Sequence, residues 1–359
     1  MRSERLAAPD AERPAQIARG HSAGKCGEGM HKAMAGQTDT AWGRDPWGPR
    51  VARLRDLGIP VREWEPLAHH TTFRIGGPAR ALAVPRDAAE LLSTLDLASQ
   101  FGWPILMLGE GSKLLVHDRG IDRLVVAMNQ ALSSFDWSPD GVEVGTGLAI
   151  REVARAATLA GLSGLEFYAG VPGSVGGALY MNAGGRGIEM SQLVEWVRVY
   201  DLDTHCAFVV RGKDMTFQYR TSILRRYPWL ALSTRLVLRA GDPEATTATM
   251  EDFLAHRRRA QPVEVPSAGS VFVNPPGGRA STLLDQAGVR GWTEGQARIS
   301  SFHANFIVNP GGASAHDVFK LMQRMHAAVN DRHGIRLRPE IIGVGFGAAW
   351  QAAFDTPSL

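Results

Sequence analysis

Two glycine-rich stretches hold the residue types best suited to gripping a ligand. In the first, residues 108–115 (LGEGSKLL), a buried apolar run ends in Gly109, Glu110, Gly111 and Ser112, followed by Lys113 and Leu114. Glycines let backbone N–H groups approach a ligand closely, and the Ser112 hydroxyl adds a donor. The second, residues 166–187, has seven glycines in 22 residues and cannot be a regular helix or strand. Its Val171, Pro172, Gly173 and Ser174, then the pair Gly176 and Gly177, offer N–H donors that suit a diphosphate or the edge of an aromatic ring system. Tight turns would explain either loop alone; two long loops that both combine Gly with Ser favour a ligand. The run GVGFGA at 343–348 follows no βαβ pattern and opens no predicted helix, so it is not read as a dinucleotide fingerprint. No Walker A motif is present, which argues against nucleotide hydrolysis.

The elements that must position these loops alternate short strands with occasional helices. Residues 87–100 predict a helix capped by Asp87, with Leu91, Leu92, Leu95 and Ala98 on its apolar face. PILML then enters the first glycine loop, IDRLVVAM is a second strand, and GVEVGTG leads to the helix IREVARAATLAG, stopped by Gly161. The runs LVEWVRVYD, CAFVVRG and LALSTRLVLRA predict strands, and a helix over 245–259 ends at Gln261-Pro262, placing a domain boundary near 260. STLLDQAG predicts a short helix. Residues 315–333 predict a long one, capped by Ser314 with Asp317, its Val318, Leu321, Met322, Met325 and Val329 turned inward. A final strand, IRLRPEIIGVG, precedes a weakly patterned tail.

Composition narrows the function classes. The 359 residues suit two or three domains, and 44% hydrophobic with 21% charged residues is globular. A net charge of +3 is a small surplus, so no nucleic-acid partner is implied. Cys26 and Cys206 lie far apart outside any CxxC pattern; neither a disulfide framework nor a metal site is expected, and a reducing cytoplasm suits them. No apolar run approaches a membrane span, and the charged amino terminus lacks a signal-peptide core, so a cytoplasmic protein without a membrane partner is expected. Residues 1–48 lack hydrophobic periodicity and read as a disordered extension.

Seven segments, TTFRIGGPA (71–79), LGEGSKLLV (108–116), YAGVPGSVGGALYMNAGG (168–185), YRTSIL (219–224), PSAGSVFVNPPG (266–277), HANFIVN (303–309) and LRPEIIGVG (337–345), resemble the motifs of the UDP-N-acetylenolpyruvoylglucosamine reductases, in the family's order. The short spacing from Gly269 to His303, with no inserted tyrosine-bearing loop, resembles the family's compact form. The resemblance implies an α+β fold: a two-subdomain FAD-binding module of the vanillyl-alcohol-oxidase (PCMH) type over 49–129 and 130–259, then a substrate-binding domain over 260–335. A strand within 336–350 would return to the FAD module. It implies an enzyme, expected as a monomer, that uses FAD and NADPH to reduce UDP-N-acetylglucosamine enolpyruvate to UDP-N-acetylmuramate. That places it in cytoplasmic peptidoglycan precursor synthesis, hence in cell wall biogenesis, cell shape, cell division and the cell cycle.

By the same resemblance Arg220, Ser270 and Glu340 are the catalytic residues. Adding hydride to an enolpyruvyl carbon leaves negative charge beside a carboxylate. A guanidinium can pair with that carboxylate, and a positioned hydroxyl can protonate so strong a carbon base. Asn182 and Gly184 join the two glycine loops, including Lys113 and Leu114, as cofactor-binding residues. Tyr219, Asn274, His303 and Asn305 are the expected substrate contacts. Lys113 stands where the family usually has asparagine, Gly185-Arg186 where Ala-Tyr is frequent, and Val273 where a long polar residue is common. Taken singly, Arg220 would be a surface ion pair, Glu340 an edge-strand charge, Ser270 a turn residue and His303 a hydrogen-bonded structural histidine. An oxidase of the same flavin fold and a non-catalytic flavin or sugar-nucleotide binder are the alternative readings.

Overall fold

The structure, a computed structural model, describes residues 47–359. Residues 1–46, nearly all of the expected extension, lie outside the described residues. Its last two positions belong instead to the folded chain. Trp47 begins helix α1 (Trp47–Asp56), is 6% exposed and stacks on Trp103 with ring centroids 5.5 Å apart. Trp47, Val51 and Leu54 recur at helical spacing and bury one face.

The first sheet has the order β1 (Val61–Pro66), β2 (Pro78–Ala83), β5 (Ile121–Ala127) and β3 (Ile105–Leu108), with β1 antiparallel to β2 and the other pairs parallel. Strand β5 is buried on both faces because its side chains alternate between two cores: Leu124 and Val126 point to one, Val125 and Ala127 to the other. Helix α2 (Ala88–Gln100), capped by Asp87 as its sequence predicts, covers the first of these. Strand β4 (Leu114–Val116) follows the first glycine loop directly.

A second, antiparallel sheet runs β9 (Cys206–Arg211), β8 (Val194–Asp201), β10 (Trp229–Val237), β7 (Gly141–Gly145), β6 (Phe135–Ser138). Its core takes Val142, Val144, Val197 and Val199 from the strands and Ile150, Val153, Ala154 and Ala157 from α3 (Ile150–Leu159). The short α4 (Val175–Tyr180) lies inside the second glycine loop. Helix α5 (Pro243–Ala260) starts two residues before its predicted position because Asp242 caps it and Pro243 occupies its first turn. Cys206, expected as an isolated thiol, is disulfide-bonded, and Cys26 lies outside the described residues.

The C-terminal portion holds α6 (Ala280–Gln286), a small sheet of β11 (Thr293–Glu294), β12 (Ala297–Ile299) and β13 (Ile307–Val308), and α7 (Ala315–His333). A reciprocal Ser314–Asp317 capping box starts α7 and the left-handed Gly334 ends it. Asp118, just beyond β4, also accepts the Ala315 and His316 N–H groups at 2.7 and 2.9 Å, so the first module caps a helix of the last. The predicted final strand is shorter than its pattern: only β14 (Ile342–Val344) is a strand, and it pairs in parallel with β4. Two expectations are corrected here. The tail forms helix α8 (Ala348–Phe354) with Trp350 and Phe354 buried, so GVGFGA does run into a helix. It is still no phosphate loop, because the Trp350 ring occupies the space beside Gly343, 2.4 Å from where a Cβ would stand.

Trp350 is 1% exposed and stacks on Phe319 of α7 at 5.8 Å. Trp350→Ala should cost about 3–5 kcal/mol. A denaturant midpoint that does not move would show that α8 is not part of the folded core.

Candidate active site

The two glycine loops interlock. A Cβ at Gly109 would lie 2.4 Å from Ser174 Oγ, and one at Gly173, whose φ is +131°, would lie 2.9 Å from Ser112 Oγ. Neither place has room for a side chain. Glu110 fastens the loops together, its Oε2 accepting from the Gly173 N–H at 2.7 Å and from Arg151 of α3 at 2.6 Å. Ser174 caps α4 by accepting from the Gly177 N–H at 3.1 Å.

These loops line a cavity of about 820 Å³ between the second sheet's core and the C-terminal portion. Residues 109–114, 171–174, 176, 177 and 184 all face it, as do Arg220, Ser270, Asn274, His303, Asn305 and Glu340. Two predicted site residues do not. Asn182, 1% exposed, is used internally: its amide donates to Glu189 Oε2 and the Gln218 carbonyl and accepts from the Ser191 N–H. Tyr219 stands outside at 40% exposure, with its hydroxyl accepting from the Asn274 N–H at 3.4 Å.

Backbone pairing brings Ser270 and Glu340 together. The Val271 carbonyl accepts from the Glu340 N–H at 2.8 Å, Val273 N–H donates to the Arg338 carbonyl, and Ile342 N–H donates to the Lys113 carbonyl at 2.8 Å. Glu340, 7% exposed, is therefore held beside Lys113, whose Nζ lies 2.8 Å from Glu340 Oε1 and donates to the Ser270 carbonyl at 3.3 Å. Arg220 arrives from elsewhere. It sits at the tip of a turn closed by reciprocal Gln218–Thr221 backbone bonds, with a left-handed φ of +58°. Its Nη2 donates to the Gly184 carbonyl at 2.8 Å, and its Nε lies 3.3 Å from Glu340 Oε1. That approach is an ion pair and not a hydrogen bond, so the buried Nε–H has no acceptor among the described residues. A carboxylate flanked by two cations, with a serine alongside, can receive an anionic group and supply a proton.

Asn305 is 3% exposed and joins its amide to both backbone groups of Phe272, while its own N–H donates to His303 Nδ1 at 3.2 Å. Burial, with a further push from Arg290, lowers the His303 pKa against the opposing pull of Asp285. A neutral ring accepting at Nδ1 carries its proton on Nε2, making His303 a donor.

Sequence reasoning missed three residues here. Arg257 and Gln261, at the end of α5, line the cavity. Arg257 has its pKa lowered by burial, and its side chain makes no hydrogen bond or ion pair among the described residues, where Gln261 Oε1 is likewise a buried acceptor without a partner. Their signal was the run HRRRAQP, which also suits an ordinary helix end. Tyr168, fully buried, donates to the Ala183 carbonyl at 2.8 Å and so braces the segment whose Gly184 carbonyl receives Arg220.

Comparison with known proteins then decides the family. Residues 261–344 match the sequence model described as UDP-N-acetylenolpyruvoylglucosamine reductase, C-terminal domain, and residues 79–206 match an FAD binding domain. A UDP-N-acetylenolpyruvoylglucosamine reductase from Heliobacterium modesticaldum is 44% identical over 81% of this chain and 93% of its own length. The chain belongs to this reductase family. A Bacillus subtilis member is 38% identical over 78% of this chain and 93% of its own length. The crystal structure of the Thermus caldophilus reductase superposes with a TM-score of 0.67 at 34% identity, covering 79% of this chain and 98% of the other. The fold is accordingly α+β, an FAD-binding module followed by the family's C-terminal domain.

The left-handed Arg220 yields a stability test. A non-glycine residue there costs roughly 1–2 kcal/mol. Arg220→Gly should therefore be more stable than Arg220→Ala by about that amount, both having lost the ion pair; equal midpoints would mean the turn is unstrained. His303 yields a pH test. With its native pKa below the reference 6.5, the unfolded chain takes up the proton first, so this contribution is lost as pH falls below 6.5. In thermal melts from pH 7 to 5, His303→Asn should show a shallower loss than the parent; parallel curves would refute the assignment.

Proposed function

We propose that the chain is an FAD-containing, NADPH-dependent oxidoreductase that reduces UDP-N-acetylglucosamine enolpyruvate to UDP-N-acetylmuramate, a step of peptidoglycan precursor synthesis. The observation that carries this reading is that Arg220, Ser270 and Glu340, from three distant segments, face one cavity whose floor is two interlocked glycine loops. The cavity suits a flavin nucleotide: glycine-rich main chain lines one wall, and the Arg257 side chain, Arg220 Nε and Gln261 Oε1 are polar groups without hydrogen-bond partners among the described residues. Bound FAD, reduced by NADPH, supplies hydride to the enolpyruvyl double bond.

The chain's own residues do the rest. The N–H groups of residues 109–113 and of Ser174, which make no hydrogen bond among the described residues, would hold the cofactor; the other N–H groups of 171–177 are already bonded inside the protein, so that the second loop braces the first. Gly184 shapes the cofactor's edge, and Asn182 supports that wall from behind. Arg220 pairs with the substrate carboxylate and stabilises the negative charge that develops next to it. Ser270 delivers its hydroxyl proton to the carbanionic carbon. Glu340 orients Arg220 and assists the developing charge. Asn274 and His303, the latter as a neutral donor, form the sugar-nucleotide side; Asn305 holds Phe272 and His303 in place behind them, and Tyr219 bonds the Asn274 main chain from outside the cavity. The FAD-binding module spans two subdomains that divide near 129 and ends near 259, the substrate domain covers 260–335, and the segment 336–350 returns to the module. The protein acts as a monomer in the cytoplasm, away from membrane and nucleic acid, and serves cell wall biogenesis and with it cell shape and division. No described helix is long and apolar enough to cross a membrane.

Purified protein should show a flavin absorption spectrum that NADPH bleaches and the enolpyruvyl substrate restores under anaerobic conditions. Restoration by oxygen alone would point to an oxidase of the same fold and refute the reading. Ser270→Ala should bleach normally yet recover about 10²–10⁴-fold more slowly.

A further inference from the structure

We propose that Lys113 is a positioning residue for the reduction step: it is the standing counter-ion of Glu340, which leaves Arg220 free for the substrate carboxylate. The inference rests on the function proposed above and concerns a residue whose place in the first glycine loop would otherwise assign it to the cofactor.

The geometry separates Lys113 from that loop's other polar side chains. Glu110 is turned to Gly173 and Arg151, whereas the Lys113 ammonium is turned to the opposite wall, toward Glu340 Oε1 and the Ser270 carbonyl. Gly269 makes way for it, since a Cβ there would lie 3.2 Å from Lys113 Nζ. The lysine and glutamate side chains are 25% and 7% exposed, so the pair sits mostly out of water, where a close charge contact is weakly screened.

Charge arithmetic gives the consequence. Lys113, Glu340 and Arg220 together carry one net positive charge. The same Glu340 oxygen is 2.8 Å from Lys113 Nζ but 3.3 Å from Arg220 Nε; both contacts are ion pairs, the lysine's the closer, and the hydrogen bond from Lys113 Nζ goes to the Ser270 carbonyl. Remove the ammonium, and Glu340 and Arg220 become a closed neutral pair, so an incoming carboxylate must compete with Glu340 for the guanidinium. With Lys113 present the carboxylate of Glu340 is already matched, and the surplus charge remains on the group that faces the substrate. Lys113 thus acts through Glu340 and Arg220 and need not touch the substrate.

The test separates the two half-reactions by stopped flow on flavin-loaded protein. Lys113→Met keeps the aliphatic stem and removes the charge; it should hold flavin, be reduced by NADPH within about threefold of the parent rate, and be reoxidised by the enolpyruvyl substrate at least tenfold more slowly. Lys113→Arg, which keeps the charge, should recover most of that loss. In a Glu340→Gln background the Lys113→Met change should cost much less, because there is no carboxylate left to compete for Arg220. Equal reoxidation rates for the Met and Arg variants, full additivity with Glu340→Gln, or loss of flavin from Lys113→Met would each overturn the inference. Failure of the parent protein to reoxidise with the enolpyruvyl substrate would instead overturn the functional reading beneath it.

Discussion

Ile342 donates its N–H to the carbonyl of Lys113, and from that bond a segment near the carboxyl end runs parallel to the strand leaving the first glycine loop. Two residues before the bond stands Glu340, and its N–H is in turn bonded to Val271, next to Ser270. A ladder of main-chain hydrogen bonds thus joins three segments remote in sequence, and Lys113, Ser270, Asn305 and Glu340 all stand on it or beside it, whereas Arg220 comes from a separate turn and Arg257 and Gln261 from the end of α5. Because each rung pairs a main-chain donor with a main-chain acceptor, shifting the register by one residue would leave polar groups unmatched and reverse the direction of Glu340.

The rest of the molecule holds that ladder in place. Asp118 caps α7 from the far side of β4, Asn309 donates to the Phe73 carbonyl at 3.0 Å, and Thr72 donates to the Ser267 carbonyl at 2.7 Å. Phe73, Ile75 and Leu115 from the first module lie in the same core as Trp350 and Phe354. The motif TTFRIGGPA, none of whose residues lines the cavity, is therefore a fastening between the two halves of the site. On the other side Tyr200 and Leu230 of the second sheet enter the core of the first, so the two sheets that carry the interlocked glycine loops share a packed apolar core. Mutual rigidity matters because the charges of the site are largely buried. Removing one member of such a cluster costs several kcal/mol, and so does letting it drift out of contact.

Much of the local structure was legible along the chain. The long helix with its Ser314–Asp317 box, the Asp87 cap and the strand alternations appear where short-range patterns place them, because capping and periodicity depend on residues within a turn or two of each other. The errors occur where distant packing overrides local pattern. Trp47 looks like the end of a polar extension until Trp103 stacks on it. The tail after 345 has no clear periodicity, yet Phe319 and Gly343 provide the surface on which Trp350 makes a helix worthwhile. IRLRPEIIGVG reads as a continuous strand, but only its last part finds a strand to pair with.

For the site the same division holds. Sequence by itself determined the chemical inventory: two loops without side chains where backbone must show, an arginine, a serine and a glutamate in motifs of recognisable order. Only the tertiary structure decided which way those groups point. It turned Lys113 from the loop toward Glu340, took Asn182 out of the cavity into an internal network, and brought in the Arg257 side chain with no partner among the described residues. The physical reason is range: glycine spacing and capping act through bonds a few residues long, whereas burial and charge pairing act through space between segments that the chain alone does not relate.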